Sequence, residues 1–220
     1  MTLMDDDRWR RTGAYLQDVF GREDELLRDL RAAVKAEGLP EIAVSSDVGR
    51  LLHLLVRTTR AKRVVELGTL GGYSGVWLAR ALAPGGRLTT VEIDPSRAAF
   101  ARSWFERAGL GDRVEVVVGA ALDVLPGILK GLAPGELDVA FVDAVKTEYP
   151  AYFEALRGHV APGGLYIADN ALGSMSWWID QEGVPDREGV DRANRMAAGD
   201  PDFDAACVPI REGVMVARRR

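Results

Sequence analysis

Three oxygen-donor side chains and a lysine follow two apolar segments of the sequence. Asp143 comes directly after LDVAFV, and Asp169 and Asn170 come directly after LYIA. Carboxylate and amide oxygens are the ligands that Mg²⁺, Mn²⁺ and Ca²⁺ prefer, whereas zinc favours nitrogen and sulfur. Lys146 lies three residues after Asp143 and would face the same position. If the two segments are neighbouring strands, these residues form a divalent-cation site; the alternative is that each makes a turn or caps a helix.

A second candidate site begins where the apolar run RVVEL, which contains Glu66, leads into GTLGGYSG. The glycines would let a ligand approach the backbone closely, but their spacing is not the G-x-G-x-x-G of dinucleotide-binding proteins. Glu92 ends the next apolar segment, where a carboxylate can accept both hydroxyl groups of a ribose. No basic cluster for a pyrophosphate accompanies these residues. The pattern therefore favours a phosphate-free nucleoside such as S-adenosylmethionine over NAD.

Both candidate sites depend on a repeated pattern in which a short apolar strand is followed by a helix. We predict strands at 63–67, 87–93, 113–118, 137–142 and 165–168. Helices are predicted at 75–82, 95–108, 121–132 and through 152–156. This alternation predicts an α/β fold with a doubly wound, mostly parallel sheet, in which ligand-binding groups gather at the carboxyl ends of the strands.

The two ends of the chain add elements to this sheet. Leu27, Leu30 and Val34 repeat at helical spacing within a helical N-terminal part. After a helix at 190–196, two segments at 203–208 and 213–217 are close enough to form an antiparallel hairpin at the sheet edge. No linker divides the sequence. We therefore predict one domain over 1–220, with N-terminal helices over 1–60 and the ligand-binding core over 61–220.

Composition restricts the partners and the compartment. The 220 residues carry a net charge of −5 with a pI near 5.2, which argues against a nucleic-acid partner. A single cysteine, Cys207, excludes an internal disulfide, fits a reducing compartment and is expected to be a small core residue. The start, MTLMDDDRWRR, lacks the apolar stretch of a secretory signal, and no apolar run is long enough to span a membrane. We expect a soluble, cytoplasmic protein without a membrane partner.

Five segments resemble the catechol and caffeoyl-CoA O-methyltransferase superfamily, whose members are metal-dependent and use S-adenosylmethionine. VVELGTLGGYS is similar to the family's E-I/L-G-x-x-x-G-Y-S, TTVEIDP to its ribose-binding strand, and VGAALDVLP to its adenine-side segment. FVDAVKTEY is similar to F-x-D-x-x-K-x-x-Y, and GGLYIADN to G-G-x-x-x-x-D-N. The similarity covers residues 45–171 and implies a bacterial member with a seven-stranded, Rossmann-like sheet that forms a homodimer.

The resemblance also implies a role for individual residues. Asp143, Asp169 and Asn170 would hold the metal, and Lys146 would be the catalytic lysine, with Lys146 and Asn170 also contacting the substrate. The S-adenosylmethionine site would be lined by Val44 (through its backbone), Glu66, Gly68, Thr69, Ser74, Glu92, Ala121 and Asp143.

The chain departs from the family pattern at three places. Val145 replaces a carboxylate of many bacterial and plant members, so one cofactor contact is expected to be missing. Ala206 aligns with a glutamate that contacts the substrate in the animal catechol branch, so that contact is expected to be missing too. Trp177 and Trp178 lie in a segment without a clear counterpart. They either line the acceptor pocket or pack in the core or a dimer interface.

The resulting prediction is an O-methyltransferase that uses S-adenosylmethionine and Mg²⁺ (or Mn²⁺ or Ca²⁺). It would methylate one hydroxyl of a small molecule with vicinal hydroxyls. The alanine-, arginine- and glycine-rich composition suggests a bacterium with a high-GC genome, in which a natural-product phenol is the expected acceptor. One alternative, methylation of a hydroxylated nucleoside in tRNA, is disfavoured by the acidic pI. A second, a non-enzymatic binding protein, would have no need of Asp143, Lys146, Asp169 and Asn170 together.

Overall fold

A seven-stranded sheet organises residues 6–220, which are the residues that the computed structural model describes. Its order is β3-β2-β1-β4-β5-β9-β8; β1 to β5 run parallel and β9 runs antiparallel to both of its neighbours. The strands are β1 (Arg63–Leu67), β2 (Arg87–Glu92), β3 (Val114–Val118), β4 (Leu137–Val142), β5 (Val160–Asp169), β6 (Gly173–Ser174), β7 (Trp177–Trp178), β8 (Phe203–Val208) and β9 (Val214–Arg219). The predicted fold class is confirmed.

Helices cover both faces of the sheet because its central parallel strands are apolar on both sides. Val64 of β1 packs with α2 to α5 on one face, and its neighbour Val65 packs with α6 to α8 on the other. The helices are α1 (Asp6–Phe20), α2 (Glu25–Ala36), α3 (Ser46–Thr59), α4 (Tyr73–Ala81), α5 (Pro95–Arg107), α6 (Ala121–Lys130), α7 (Tyr149–Arg157) and α8 (Pro185–Gly199). Within residues 6–220, no helix combines the length and apolar composition that crossing a membrane requires.

Three details differ from the sequence predictions. The strand β5 begins at Val160, earlier than predicted, and its pairing with β4 contains a register shift. A short hairpin, β6 with β7, was not predicted. The prediction that Cys207 lies in the core is wrong: Cys207 is in β8, but its side chain is exposed, because β8 is the edge strand and only Phe203 of that strand is buried.

The prediction that the chain lacks a secretory signal rests on its charged start. That start includes residues 1–5, which lie outside the described residues.

The carboxyl ends of β1 and β4, which lead into the candidate site, are in direct contact at the centre of the sheet. The Asp143 N–H donates to the Leu67 carbonyl at 2.9 Å, which joins the ends of β4 and β1. Gly68, the next residue, has φ +99°, and a Cβ there would lie 2.0 Å from the Asp143 carbonyl oxygen. This close approach and the left-handed backbone both require glycine. Gly68 therefore fixes the position of Asp143 relative to the glycine-rich turn.

Replacing Gly68 by alanine tests this contact. We expect Gly68→Ala to lower the free energy of unfolding by at least about 2 kcal/mol, because the new Cβ strains the backbone and displaces the Asp143 carbonyl. Chemical denaturation measures the change. Gly127→Ala in α6 is the control: nothing lies within 4 Å of its Cβ position, and the substitution should raise stability by about 0.5–1 kcal/mol. Equal stabilities for Gly68→Ala and wild type would contradict the constraint.

Candidate active site

A cavity of about 200 Å³ lies at the carboxyl ends of β1, β4 and β5. The strand order reverses at this point, because β2 and β3 lie on one side of β1 and the later strands β4 and β5 lie on its other side. The loop before α3 closes the cavity from the N-terminal side. The predicted site residues in its wall are Val44, Gly68, Thr69, Ser74, Asp143, Lys146 and Asn170.

Asp169, at the end of β5, is a buried carboxylate without a full set of partners. Its side chain is 1% exposed; Oδ2 accepts from Arg211 Nη1 at 3.3 Å, and Oδ1 has no hydrogen-bond partner. Burial raises the pKa of Asp169, and the charge of Asp143 raises it further. An orphaned buried carboxylate oxygen is unfavourable, so this position fits a cation.

The other two predicted metal ligands lie beside it. Asn170 is 6% exposed, and its Nδ2 donates to Glu212 Oε2 at 3.2 Å, which leaves the amide oxygen available to a cation. Asp143 borders the cavity at the end of β4. Within residues 6–220, no group of three or more His, Cys, Asp and Glu side chains is placed to hold a metal. The candidate donors at these strand ends are two carboxylates and one amide, a set that suits Mg²⁺, Mn²⁺ or Ca²⁺.

Lys146 is held directly over this edge by two hydrogen bonds. It begins the 3-10 turn Lys146–Glu148 after β4, and its Nζ donates to Asp143 Oδ1 at 2.7 Å and to the Tyr149 hydroxyl at 2.6 Å. The Tyr149 oxygen in turn lies 3.2 Å from the carbonyl oxygens of Val142 and Asp169. Burial raises the pKa of Tyr149 far above its usual range, so its hydroxyl stays protonated and positions Lys146.

The glycine-rich turn rests on a buried glutamate. Glu66 is fully buried and accepts hydrogen bonds from Ser74 Oγ and Thr90 Oγ1, both at 2.6 Å. Burial raises the pKa of Glu66 to about 7. Of these three residues only Ser74 borders the cavity. The structure thus places Glu66 beneath the wall, where it orients Ser74.

The remaining predicted cofactor residues lie outside this cavity. Glu92 is 5% exposed and accepts the N–H groups of Leu70 at 2.7 Å and Asp94 at 3.0 Å. Ala121 begins α6 after β3, at the same edge of the sheet, and is partly exposed. Neither residue borders the 200 Å³ cavity, but Leu70, whose N–H is bonded to Glu92, does.

The adjacent tryptophans of β7 have different environments. Trp177 is 2% exposed and packs in the core with residues of α7 and α8, so of the two alternatives core packing describes it. Trp178 is 45% exposed and borders a second cavity, between α1 and the turn that joins β8 to β9. The structure separates the two side chains because successive residues of a strand point to opposite faces.

Arg31 is a site-supporting residue that the sequence did not reveal. Its Nη2 donates to the Val44 carbonyl at 2.8 Å, and its Nε donates to Glu23 Oε1 at 2.7 Å. The guanidinium lies 3.9 Å from the centre of the Tyr73 ring, and the Tyr73 hydroxyl also donates to Glu23 Oε1. Val44 and Tyr73 both border the cavity, so α2 holds the cavity wall through Arg31.

The turn between β8 and β9 brings two more unpredicted residues to the site. Arg211 has a left-handed backbone, φ +51°, and its Nε donates to Glu212 Oε2 at 2.9 Å. Ala206, which was aligned with a substrate-contacting glutamate of the animal catechol branch, lies in β8. Glu212, in the turn that follows β8, accepts a hydrogen bond from Asn170. A side-chain contact across 42 residues leaves no local signal in the sequence.

A profile of the O-methyltransferase family matches residues 17–220. The chain belongs to the O-methyltransferase family. A curated relative of this methyltransferase, the catechol O-methyltransferase of Niastella koreensis, is 38% identical over 191 residues, which cover 87% of this chain and 86% of that protein. The predicted family and enzyme class are confirmed.

Solved structures of O-methyltransferases share the fold along the whole chain. An O-methyltransferase from Bacillus cereus in complex with SAH is 35% identical, with a TM-score of 0.88 over 97% of this chain and 99% of that one. The O-methyltransferase TomG from Streptomyces achromogenes, in complex with SAM and involved in tomaymycin synthesis, is 37% identical, with a TM-score of 0.85 over 99% of both chains.

The raised pKa of Glu66 predicts how stability depends on pH. Because its pKa is about 7 in the folded state and 4.5 when unperturbed, the folded state binds the extra proton between these values. The contribution is complete below pH 4.5 and is lost as the pH rises through 7, a change of about 3 kcal/mol. Glu66→Gln should remove this loss, so its free energy of unfolding should fall less than that of wild type over this window.

Urea denaturation of the ligand-free protein at a series of pH values between 4.5 and 8 measures the difference. Glu115→Gln, a change at an exposed glutamate of β3, should keep the wild-type profile. A Glu66→Gln profile that parallels wild type would show that Glu66 is ionised throughout.

Proposed function

We propose that this O-methyltransferase uses S-adenosylmethionine and a divalent cation, Mg²⁺ in the first place, to methylate one of two adjacent phenolic hydroxyls on a small molecule. The observation that carries the proposal is Asp169, a buried carboxylate with one unpartnered oxygen next to Asp143 and Asn170. Lys146 lies at the same edge, bonded to Asp143. A cation at this edge would satisfy the orphaned oxygen.

The cavity at the end of β1 suits S-adenosylmethionine. The cofactor supplies a methyl group on a sulfonium, which is already activated for transfer, so the protein has to position it. Gly68, Thr69 and Ser74 offer backbone and hydroxyl groups, and Val44 closes the opposite wall. Glu92 would accept the ribose hydroxyls, and Glu66 and Ala121 would support the site from outside the cavity. The relatives with bound SAH or SAM support this assignment.

The acceptor would be held at the edge of the sheet that carries Asp143, Asp169 and Asn170. A bound divalent cation acts as a Lewis acid and lowers the pKa of a hydroxyl that coordinates it. Asp143, Asp169 and Asn170 would hold the cation, while Lys146 would accept the phenolic proton or stabilise the phenolate, which contributes roughly 10²–10⁴-fold to such reactions. Holding the oxygen in line with the methyl group would contribute about 7–11 kcal/mol through proximity.

Chelation by both oxygens of the acceptor predicts a requirement for metal and for vicinal hydroxyls. EDTA should abolish methylation of catechol, and added Mg²⁺ or Mn²⁺ should restore it. Phenol should react at least about 100-fold more slowly than catechol, because it offers one oxygen instead of two. Transfer of labelled methyl groups measures both rates. Full activity in EDTA, or equal rates on catechol and phenol, would leave Lys146 as the only catalyst and would contradict the metal role.

We also propose that the protein is a cytoplasmic homodimer that acts on a natural-product phenol. An apolar surface on α1 and α3 includes Tyr15, Phe20 and Leu54, which are 61%, 55% and 56% exposed, and a second copy would cover it.

The exposed free thiol of Cys207 suits a reducing compartment such as the cytoplasm. TomG, a relative involved in tomaymycin synthesis, is consistent with an acceptor from natural-product metabolism.

The dimer has a direct test. Light scattering at micromolar concentration should give about twice the chain mass of 23.9 kDa. Leu54→Glu should shift the mass toward the monomer, because a charge would be buried at the contact. Wild-type protein that scatters as a single chain would contradict the dimer.

A further inference from the structure

The turn between β8 and β9 supplies one contact to each of the two candidate metal ligands at the end of β5. Arg211 Nη1 donates to Asp169 Oδ2 at 3.3 Å, and Glu212 Oε2 accepts from Asn170 Nδ2 at 3.2 Å. Each side chain matches its partner, since the arginine meets a carboxylate and the glutamate meets an amide nitrogen. Arg211 Nε also lies 2.9 Å from the same Glu212 oxygen, so the two turn residues are bonded to each other.

Backbone hydrogen bonds fix Glu212 next to Asn170. The Leu172 N–H donates to the Glu212 carbonyl at 2.8 Å, and the Ala171 N–H donates to the Gly213 carbonyl at 2.9 Å. Directly after this turn, β9 pairs with β5 along its whole length. The position of the glutamate is therefore set by the pairing of the sheet.

Glu212 is placed to act through Asn170 and not as a metal ligand itself. Asn170 borders the 200 Å³ cavity, whereas Glu212 borders the second cavity instead. In the part of the chain that the structure describes, residues 6–220, no third carboxylate joins Asp143 and Asp169 in a group that could hold a metal. Glu212 thus contacts a candidate ligand of the cation but does not complete the ligand set.

The contact decides which end of the Asn170 amide faces the cation. A carboxylate only accepts hydrogen bonds, so it pairs with the amide NH₂ group and repels the amide oxygen. With Nδ2 toward Glu212, the amide oxygen is left for the cation. The reverse orientation would turn an NH₂ group, which cannot coordinate, toward the cation. Outer partners that orient metal ligands typically contribute about 10–100-fold to metal affinity.

We propose that Glu212 is a positioning residue of the metal site, which holds the Asn170 amide so that its oxygen faces the cation. The inference rests on the proposed function, because it takes Asp143, Asp169 and Asn170 as the ligands. It adds that cation affinity depends on a side chain outside the ligand set. Loss of the hydrogen bond would leave the amide free to turn, whereas loss of the negative charge alone would not.

Binding of Mn²⁺, measured by electron paramagnetic resonance with S-adenosylhomocysteine present, tests this role. Glu212→Ala should raise the Kd of Mn²⁺ about 10–100-fold, because the amide can turn. Glu212→Gln loses the same charge but keeps an acceptor oxygen for Asn170 Nδ2, so its Kd should lie near that of wild type. Glu182→Ala, a change at an exposed glutamate after β7, is the control for a lost surface charge and should bind Mn²⁺ as wild type does.

An Asn170→Asp background separates orientation from charge. A carboxylate presents an oxygen in either orientation, so this variant does not need Glu212 to orient its ligand. Adding Glu212→Ala to Asn170→Asp should therefore change the Kd of Mn²⁺ much less than Glu212→Ala changes it in wild type. An attraction between the cation and the charge of Glu212 would instead be lost to the same extent in both backgrounds.

Equal losses in the two backgrounds, or a Glu212→Gln variant that binds as weakly as Glu212→Ala, would overturn the inference. Unchanged Mn²⁺ binding in Glu212→Ala would also overturn it, yet would leave the proposed metal role intact. Wild type that binds no Mn²⁺ would contradict the proposed function and the inference together.

Calorimetry with S-adenosylhomocysteine separates positioning from a structural role. Both Glu212 variants should keep the wild-type affinity for the cofactor product, because Glu212 does not border the 200 Å³ cavity. Parallel losses of Mn²⁺ and S-adenosylhomocysteine affinity would show that Glu212 only maintains the fold, which would overturn the inference.

Discussion

The contact between the carboxyl ends of β1 and β4 is the constraint on which the site depends. Gly68 lets the carboxyl ends of β1 and β4 come so close that the Asp143 carbonyl lies where a Cβ at position 68 would have to be. As a result, Asp143 borders the cavity beside Thr69 and Ser74 and also lies next to Lys146. Under the proposed function, the single residue that directly follows β4 would face both a nucleoside and a cation, which would bring methyl donor and acceptor together.

This arrangement places several negatively charged side chains close together, which is electrostatically unfavourable. Three carboxylates, Glu66, Asp143 and Asp169, lie at neighbouring strand ends, and burial together with mutual repulsion raises the pKa values of Glu66 and Asp169. Lys146 and Arg211 offset only part of it, since Asp169 Oδ1 keeps no partner. A divalent cation would remove this imbalance at the position where the acceptor has to be deprotonated.

The sequence predicted those parts of the fold and site that local spacing encodes. Alternation of short apolar strands with helices specifies a parallel sheet, and residues directly after strands must lie at its carboxyl edge, which is why Asp143 and Asn170 were placed correctly at the cavity. The hairpin of β6 and β7 was not predicted, because two-residue strands are too short for an alternating pattern. Cys207 was misplaced because an edge strand can be exposed on both faces.

Contacts between distant segments were beyond the reach of sequence patterns. In the sequence, nothing distinguishes Arg31 from other arginines on helix surfaces. Only the folded chain brings it against the Tyr73 ring and the Val44 carbonyl. Glu212 reaches Asn170 only because β9 pairs with β5. Such long side chains take their role from the tertiary structure, and they complete both cavities.

Binding of Mn²⁺, measured by electron paramagnetic resonance in wild type and in Asp169→Ala, tests the central claim most directly. With S-adenosylhomocysteine present, wild type should bind one Mn²⁺ per chain, and Asp169→Ala should bind none at the same concentration. Calorimetry should show that Asp169→Ala keeps its affinity for S-adenosylhomocysteine, because Asp169 does not border the cofactor cavity. Mn²⁺ binding of equal strength in the two proteins would contradict the account.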